Sequence, residues 1–343
     1  MIQYHCRMKA VVDTGSITDQ LRQDRAELEA AVQRNMELEK EVERVNAEMT
    51  ALKEQYGKAG SETARQEIQH EVNRNEVDFE SNQLVVKALE QRRAGDKEGA
   101  LDSLKKSLEL NPRNIAAYNT IGGIYIELRE YAKAVEIFQK LQSVAPAHTA
   151  SYVNMGVAYA EMGEYHKAIP YYKKALSMDW SDYSRDSKAT TYADYGMVYL
   201  QMDEREKAYN MFRRALDISP ENADALGGLG RYYYEIDEFQ TAVKYLEKAV
   251  AIDQSDPKDY VNLGLSYSEL KEYAKGKEAH RKALKIDSKC VEAYVGLGSI
   301  YRDEKQFEKA IDCYNRAVEF AKDKDSLYHA YMSRCVCYCL MKS

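Results

Sequence analysis

Proline, cysteine and tryptophan are scarce in this 343-residue chain, and no long apolar run interrupts its abundant charge. A bilayer span needs about 20 consecutive apolar residues, so a transmembrane helix is excluded. The opening MIQYHCRMKAVV has some positive charge but not the apolar stretch and small-residue cleavage site of a secretory signal. A cytoplasmic location is the expectation. The six cysteines, Cys6, Cys290, Cys313, Cys335, Cys337 and Cys339, are too few and too clustered at one end for a disulfide framework. Reduced thiols follow. A net charge of -7 argues against binding a phosphate backbone, which needs clustered Lys and Arg, so nucleic acid is not an expected partner. One tryptophan against 28 tyrosines asks for a structural rule that places tyrosine repeatedly.

That rule is a period. Residues 152–169 read YVNMGVAYAEMGEYHKAI and residues 260–277 read YVNLGLSYSELKEYAKGK, 108 residues apart, which is three steps of 34 plus 6. Segments beginning at Ser81, Ile115, Thr149, Ala189, Ala223, Pro257 and Val291 share one pattern. Its eighth residue is Ala88, then Gly122, Gly156, Gly196, Gly230, Gly264 and Gly298. Its eleventh is tyrosine from Tyr125 through Tyr159, Tyr199, Tyr233, Tyr267 and Tyr301, failing at Gln91. Its twentieth is small throughout: Ala100, Ala134, Ala168, Ala208, Ala242, Gly276 and Ala310. Apolar residues at positions four, seven, eight and eleven share one helical face, and the small residues let two helix axes approach. Turn letters such as MGEY, IDEF and LKEY fall between two such helices, and Pro112, Pro146 and Pro220 stop the second. Each unit is a helical hairpin that cannot bury its apolar face alone, so the chain repeats it.

With these fixed Gly, Tyr and Ala positions, residues 81–322 resemble the tetratricopeptide repeat family. The resemblance implies an all-α superhelical solenoid of about seven helix-turn-helix units with a concave groove lined by the first helices. The residues depart from the family pattern at three places. SDYSRDSK, residues 181–188, is inserted after Trp180 and reads as a longer polar loop or an extra helical turn. Gly276 and His280 stand where alanine and an aromatic are expected, making the sixth unit the softest. Pro170 falls early in a second helix, where a mild kink suffices.

Before the repeats the spacing changes. Residues 1–15 carry no pattern. Within 16–60, a heptad places Leu28, Asn35, Val42, Met49 and Tyr56 at a, and Ala31, Leu38, Val45 and Leu52 at d. Asparagine at an a position fixes register in parallel dimers, and the seam residues Leu28, Asn35, Leu38, Val42, Val45, Met49 and Leu52 predict a homodimeric coiled coil. The rival is intramolecular: GKAGS at 57–61 ends that helix, and a connecting helix over 61–80 with Ile68, Val72, Asn75 and Phe79 on one face folds back along it. At the other end, 323–343 restart a first helix at about Leu327 as a terminal partial repeat or cap. Its apolar Tyr331, Val336, Tyr338 and Met341 imply either further chain or a patch that wants a partner.

Signatures of catalysis are missing: no P-loop, nucleophile elbow, HExxH or dinucleotide turn is present, and GGLGRY at 227–232 reads as helix packing. CVCYC at 335–339 points Cys337 away from its neighbours and offers no tetrahedral site. No enzyme, metal or cofactor is expected. A surface remains. The resemblance assigns first-helix positions two, five, six, nine, twelve and thirteen to the groove, which selects Asn119, Asn154, Asp194 and Asn262, with Arg231 and Tyr234. Asparagine there suits the backbone of an extended peptide, since an amide both donates and accepts. Glu127, Glu161, Glu235, Glu269 and Asp303 at position thirteen form an acidic ladder that reads either as solvated surface or as attraction for a basic partner segment. The expected function is a protein-binding scaffold or adaptor. Its rivals are a substrate-recruiting region of a larger enzyme, and a receptor for acidic chaperone tails, which the lack of groove cations in the second to fourth units weakens.

Overall fold

The computed structural model describes residues 43–181, 183–321 and 324–341, and helices joined by short loops make up these residues, with no strand among them. The described residues fall into two compact units that divide after Gly163. In the first unit, α1 covers residues 43–58 and is followed by α2 (Glu62–Arg93), α3 (Lys97–Leu110), α4 (Ile115–Glu127), α5 (Tyr131–Val144) and α6 (Thr149–Glu161). The second unit holds α7 (Tyr165–Leu176), α8 (Arg185–Gln201), α9 (Arg205–Ile218), α10 (Ala223–Glu235), α11 (Phe239–Ile252), α12 (Pro257–Glu269), α13 (Tyr273–Ile286), α14 (Val291–Asp303), α15 (Phe307–Phe320) and α16 (Lys324–Met341). Even-numbered helices from α4 to α14 are the first helices of the repeats. Where they start is a matter of capping: Asn114 and Asn222 accept from the amides of Ala117 and Ala225, and Asp256 from that of Lys258 with Pro257 in the first turn.

Each hairpin turn closes in one way. Arg129 donates to the carbonyl of Ile126 and Glu130 to that of Tyr125, and the same pair of bonds recurs after α8, α10, α12 and α14. This is a Schellman closure, which needs its first turn residue in the left-handed region. Arg129, Asp203, Asp237, Lys271 and Lys305 supply it with φ of 59°, 59°, 63°, 61° and 60°, and Gly163 with 74°. The position-eleven tyrosine therefore does two jobs: its carbonyl closes the turn while its ring sits beside the next helix. A lysine eight residues later lies over that ring in four repeats, Lys133 on Tyr125, Lys207 on Tyr199, Lys275 on Tyr267 and Lys309 on Tyr301, at 5.1–5.6 Å from the centroids.

The core is built from small residues against large ones. Phe212 of α9 is fully buried because Gly196 of α8 and Gly228 of α10 face its two sides; a Cβ would lie 2.7 Å and 2.3 Å from the ring. His280 occupies the equivalent place in the sixth hairpin, between Gly264 and Gly296, with no exposure and no hydrogen bond to either ring nitrogen among the described residues. The GGLG run lies inside α10 and is buried there. Gly276 has a physical reason: its Cβ would meet Ile300 at 3.0 Å and the Gly264 carbonyl at 3.1 Å.

Two departures from the regular period resolve into helix. The insertion at 181–188 contributes an extra turn to the start of α8, which spans 17 residues where α10 spans 13. Trp180 donates from Nε1 to the Ala175 carbonyl at 2.9 Å and so caps α7 where other hairpins use proline. At the other end, α16 keeps the register of a first helix. Ala330 and Cys337 are buried like positions three and ten elsewhere, and Tyr331 and Tyr338 stand at positions four and eleven.

The heptad segment is only partly within the described residues; Leu28, Asn35, Leu38 and Val42 lie outside them. Of the rest, Val45 and Met49 are buried and Leu52 half-buried. Lys53 bonds Glu76 at 2.8 Å, and Glu43 lines a cleft with Glu80, Gln83 and Leu84. The pairs sum to a nearly constant number, so α1 runs antiparallel to α2. α2 itself continues unbroken from the connecting segment into the first repeat.

Candidate partner-binding surface

In the first unit a position-six residue, Asn154, meets a position-five residue of the preceding repeat, Asn119. Asn154 of α6 donates to Asn119 of α4 at 3.4 Å, both half-buried, so two neighbouring first helices share an amide rung. In the second unit Asp194 of α8 and Asn262 of α12 are half-buried at position six, the position of Asn154, while α10 and α14 have Gly228 and Gly296 there. Those glycines belong to the core packing of Phe212 and His280, and they interrupt the rung.

The position-thirteen carboxylates are mostly matched within the chain. Glu127 accepts from Arg92 and from Lys97, the latter at 3.1 Å. Burial pulls its carboxyl upward, but the hydrogen bonds and charges of Arg92 and Lys97 outweigh it and hold the group below the usual carboxylate range. Glu161 accepts from the Tyr131 hydroxyl at 3.2 Å. Arg231 bonds Glu235 at 3.0 Å along α10, and Arg302 bonds Asp303 at 2.9 Å. Glu269 is exposed near Tyr234, whose hydroxyl is pushed up by burial and by that carboxylate. Tyr234 packs on Phe239 with centroids 5.7 Å apart. Pairing removes much of the charge at these positions, and an exposed matched pair attracts a partner weakly.

Models of the tetratricopeptide repeat match residues 113–179, 148–221, 199–263, 260–290 and 291–324. The chain belongs to the tetratricopeptide repeat family. A chain of the APC/C hetero-tetramer Cut9-Hcn1 superposes with a TM-score of 0.61 at 17% identity, over 74% of this chain and 49% of that one, so this chain spans about half its length. A tetratricopeptide repeat protein from Parabacteroides merdae gives 0.58 at 17% identity over 75% and 99% of the two chains, and yeast Tom70 gives 0.52 at 15% over 88% and 60%. At such identities the likeness is one of fold. No match is found among curated proteins.

As an assembly of tetratricopeptide repeats, the chain is an interaction module, and its surface explains what the repeat pattern alone missed. Sequence reasoning named the carboxylates but not their internal cations, because Arg92 and Lys97 lie one repeat away from Glu127 in sequence and the pairing appears only when hairpins stack. It also passed over Asp224 and Asp259, first-turn carboxylates of α10 and α12. Acidic residues in a first turn are the ordinary complement of a helix dipole, so their letters carry no signal; burial singles out Asp259. Among the described residues no three His, Cys, Asp or Glu side chains converge as metal ligands.

Proposed function

We propose that this protein is a non-catalytic scaffold that holds a segment of a partner protein against the first helices of its repeats. The observation that supports this most is on α12, where half-buried Asn262 and exposed Glu269 stand two turns apart on one face, and neither side chain bonds another among the described residues. An amide so placed can donate to one backbone carbonyl and accept from one backbone amide of an extended chain. Asn119 and Asn154 offer a comparable rung in the first unit. The partner segment preferred in this reading is basic near α12, since no cation among the described residues bonds Glu269 while Glu235 and Asp303 are paired.

The test is a peptide array screened against the full chain, followed by titration of the best binder. Asn262→Ala is expected to weaken any extended peptide and Glu269→Lys to weaken basic ones selectively. Each bond lost to a charged or buried group is worth about 1 kcal/mol or more. Unchanged affinity in both variants, with helicity intact, would move the partner surface off α12.

For self-association the heptads support a homodimer through Leu28, Asn35, Leu38 and Val42. The antiparallel placement of 43–58 on α2 supports the helical hairpin instead. We take the hairpin as the working reading, with the mass of the chain in solution as its test.

A further inference from the structure

Carboxylates gather in the second unit at the first turns of the first helices, and most are hydrogen-bonded there: Ser219 and Asn222 donate to Asp186, Ser255 to Asp253, and the Lys258 amide to Asp256. Asp186 of α8, Asp224 of α10 and Asp259 of α12 lie in successive first turns, and Asp253 and Asp256 flank the loop into α12. Position at a helix N-terminus argues nothing by itself, since the macrodipole favours carboxylates there. Asp259 is different. It is only 9% exposed, and no hydrogen bond reaches its carboxylate from the described residues. The carboxylate lies against Gly227 of α10, where a Cβ would fall 2.3 Å from Oδ1.

The surroundings make this burial costly. Desolvation raises the Asp259 carboxyl to about 8, and Asp256, Asp224 and Asp253 push the same way, opposed by exposed Lys258. Asp224, open to solvent yet ringed by protein, is raised by the same crowding and by Asp253, Asp256 and Asp186, although Thr190 donates to it at 3.0 Å. A buried carboxylate with no partner is among the costliest groups a fold keeps, and a well-placed cation that hydrogen-bonds to it offsets part of that cost.

The geometry selects the cation. These carboxylates do not converge as a metal site needs, whereas a guanidinium carries five donors in a planar fork and spans separated acceptors. We infer that Asp259 and Asp224 form a receptor for an arginine side chain of the partner segment. The inference rests on the scaffold reading above, because Asp259 lies one turn before Asn262 on the same helix.

Three labelled peptides of glycine, serine and alanine, with arginine, lysine or citrulline at the centre, separate the two ideas when titrated against the full chain by fluorescence anisotropy. Arginine is expected to bind best and citrulline worst. Asp259→Asn should weaken the arginine peptide by about tenfold or more and leave the citrulline peptide unchanged. Asp224→Asn, at an exposed site that does not threaten folding, should act in the same direction. Asn262→Ala should weaken all three equally, and thermal melts confirm that each variant is folded. If folded Asp259→Asn and Asp224→Asn hold arginine as the wild type does, or citrulline binds as well as arginine, the receptor is overturned while a loss in Asn262→Ala keeps the scaffold. Equal lysine and arginine affinity overturns the guanidinium assignment. No binding of the arginine peptide overturns the receptor, and the array separately decides the scaffold.

Discussion

His280 shows how a single letter sets a response to pH. Its ring fills the slot that Phe212 fills in the fourth repeat, but burial without any hydrogen-bonding partner lowers its pKa from 6.5 to about 4. The elements packed against it present Gly264 and Gly296, and no charged group contributes to the shift. A histidine with a depressed folded pKa gives full stability above 6.5, and that stability is lost as pH falls through 4. The loss is on the order of 3 kcal/mol. His280→Phe should therefore remove the acid-side decline in urea midpoint between pH 7 and 4; an unchanged slope would show that the ring is not protonated on unfolding. Asp259 acts with the opposite sign. Its raised folded pKa means that stability is full below 3.8 and is lost as pH rises through about 8, so Asp259→Asn should flatten the alkaline side. The pattern of repeats exposed His280 as the odd letter in its column. It did not expose Asp259, because only stacking reveals that the carboxylate is pressed onto Gly227 of the neighbouring repeat.

At the scale of the element, the hairpin was legible and its turn was not. Small residues at the eighth and twentieth positions and tyrosine at the eleventh are side-chain requirements that recur as letters, so α4, α6, α10, α12 and α14 begin at Ile115, Thr149, Ala223, Pro257 and Val291 where the period puts them. The left-handed turn residue is a backbone requirement. Arg129, Asp203, Asp237, Lys271 and Lys305 meet it despite their side chains, and only Gly95 and Gly163 advertise it. A non-glycine residue in this region costs about 1–2 kcal/mol, against which glycine loses some entropy on folding. Lys271→Gly is accordingly expected to stabilise by about 1 kcal/mol in urea denaturation, and Arg129→Gly by a similar amount. Because these turns lie in separate units, the two gains should add in the double variant. A loss in either variant would mean that the side chain contributes more than the strain removes. The C-terminal helix offers a second check. Cys335 and Cys339 are exposed and Cys290 and Cys337 buried, while burial raises Cys290 and Cys313 to about 11. Thiol reagents at neutral pH should label 335 and 339 first.

At the scale of the molecule, the heptad pattern and the repeat pattern compete for the same residues. The heptad assigns Val45, Met49 and Leu52 to a seam between two chains, which requires their apolar faces to be free. In one chain Val45 and Met49 are already buried, and the Lys53–Glu76 bond at 2.8 Å ties α1 to α2. A parallel dimer using the full seam would have to expose Val45 and Met49 and break the Lys53–Glu76 bond before re-forming the seam. Helical hairpins and coiled coils share the same three-four spacing over short lengths, so sequence alone ranks them by the number of heptads and cannot see which surface reaches α1 first. If the hairpin holds, sedimentation equilibrium of the full chain should return a mass near 39.3 kDa across concentration. Val45→Asp should lower thermal stability without changing that mass, and Asn35→Val should leave both unaltered. A doubled mass that Val45→Asp abolishes and Asn35→Val strengthens would reverse the assignment. The seam would then join two copies, and the antiparallel contacts of 43–58 would have to open when they meet.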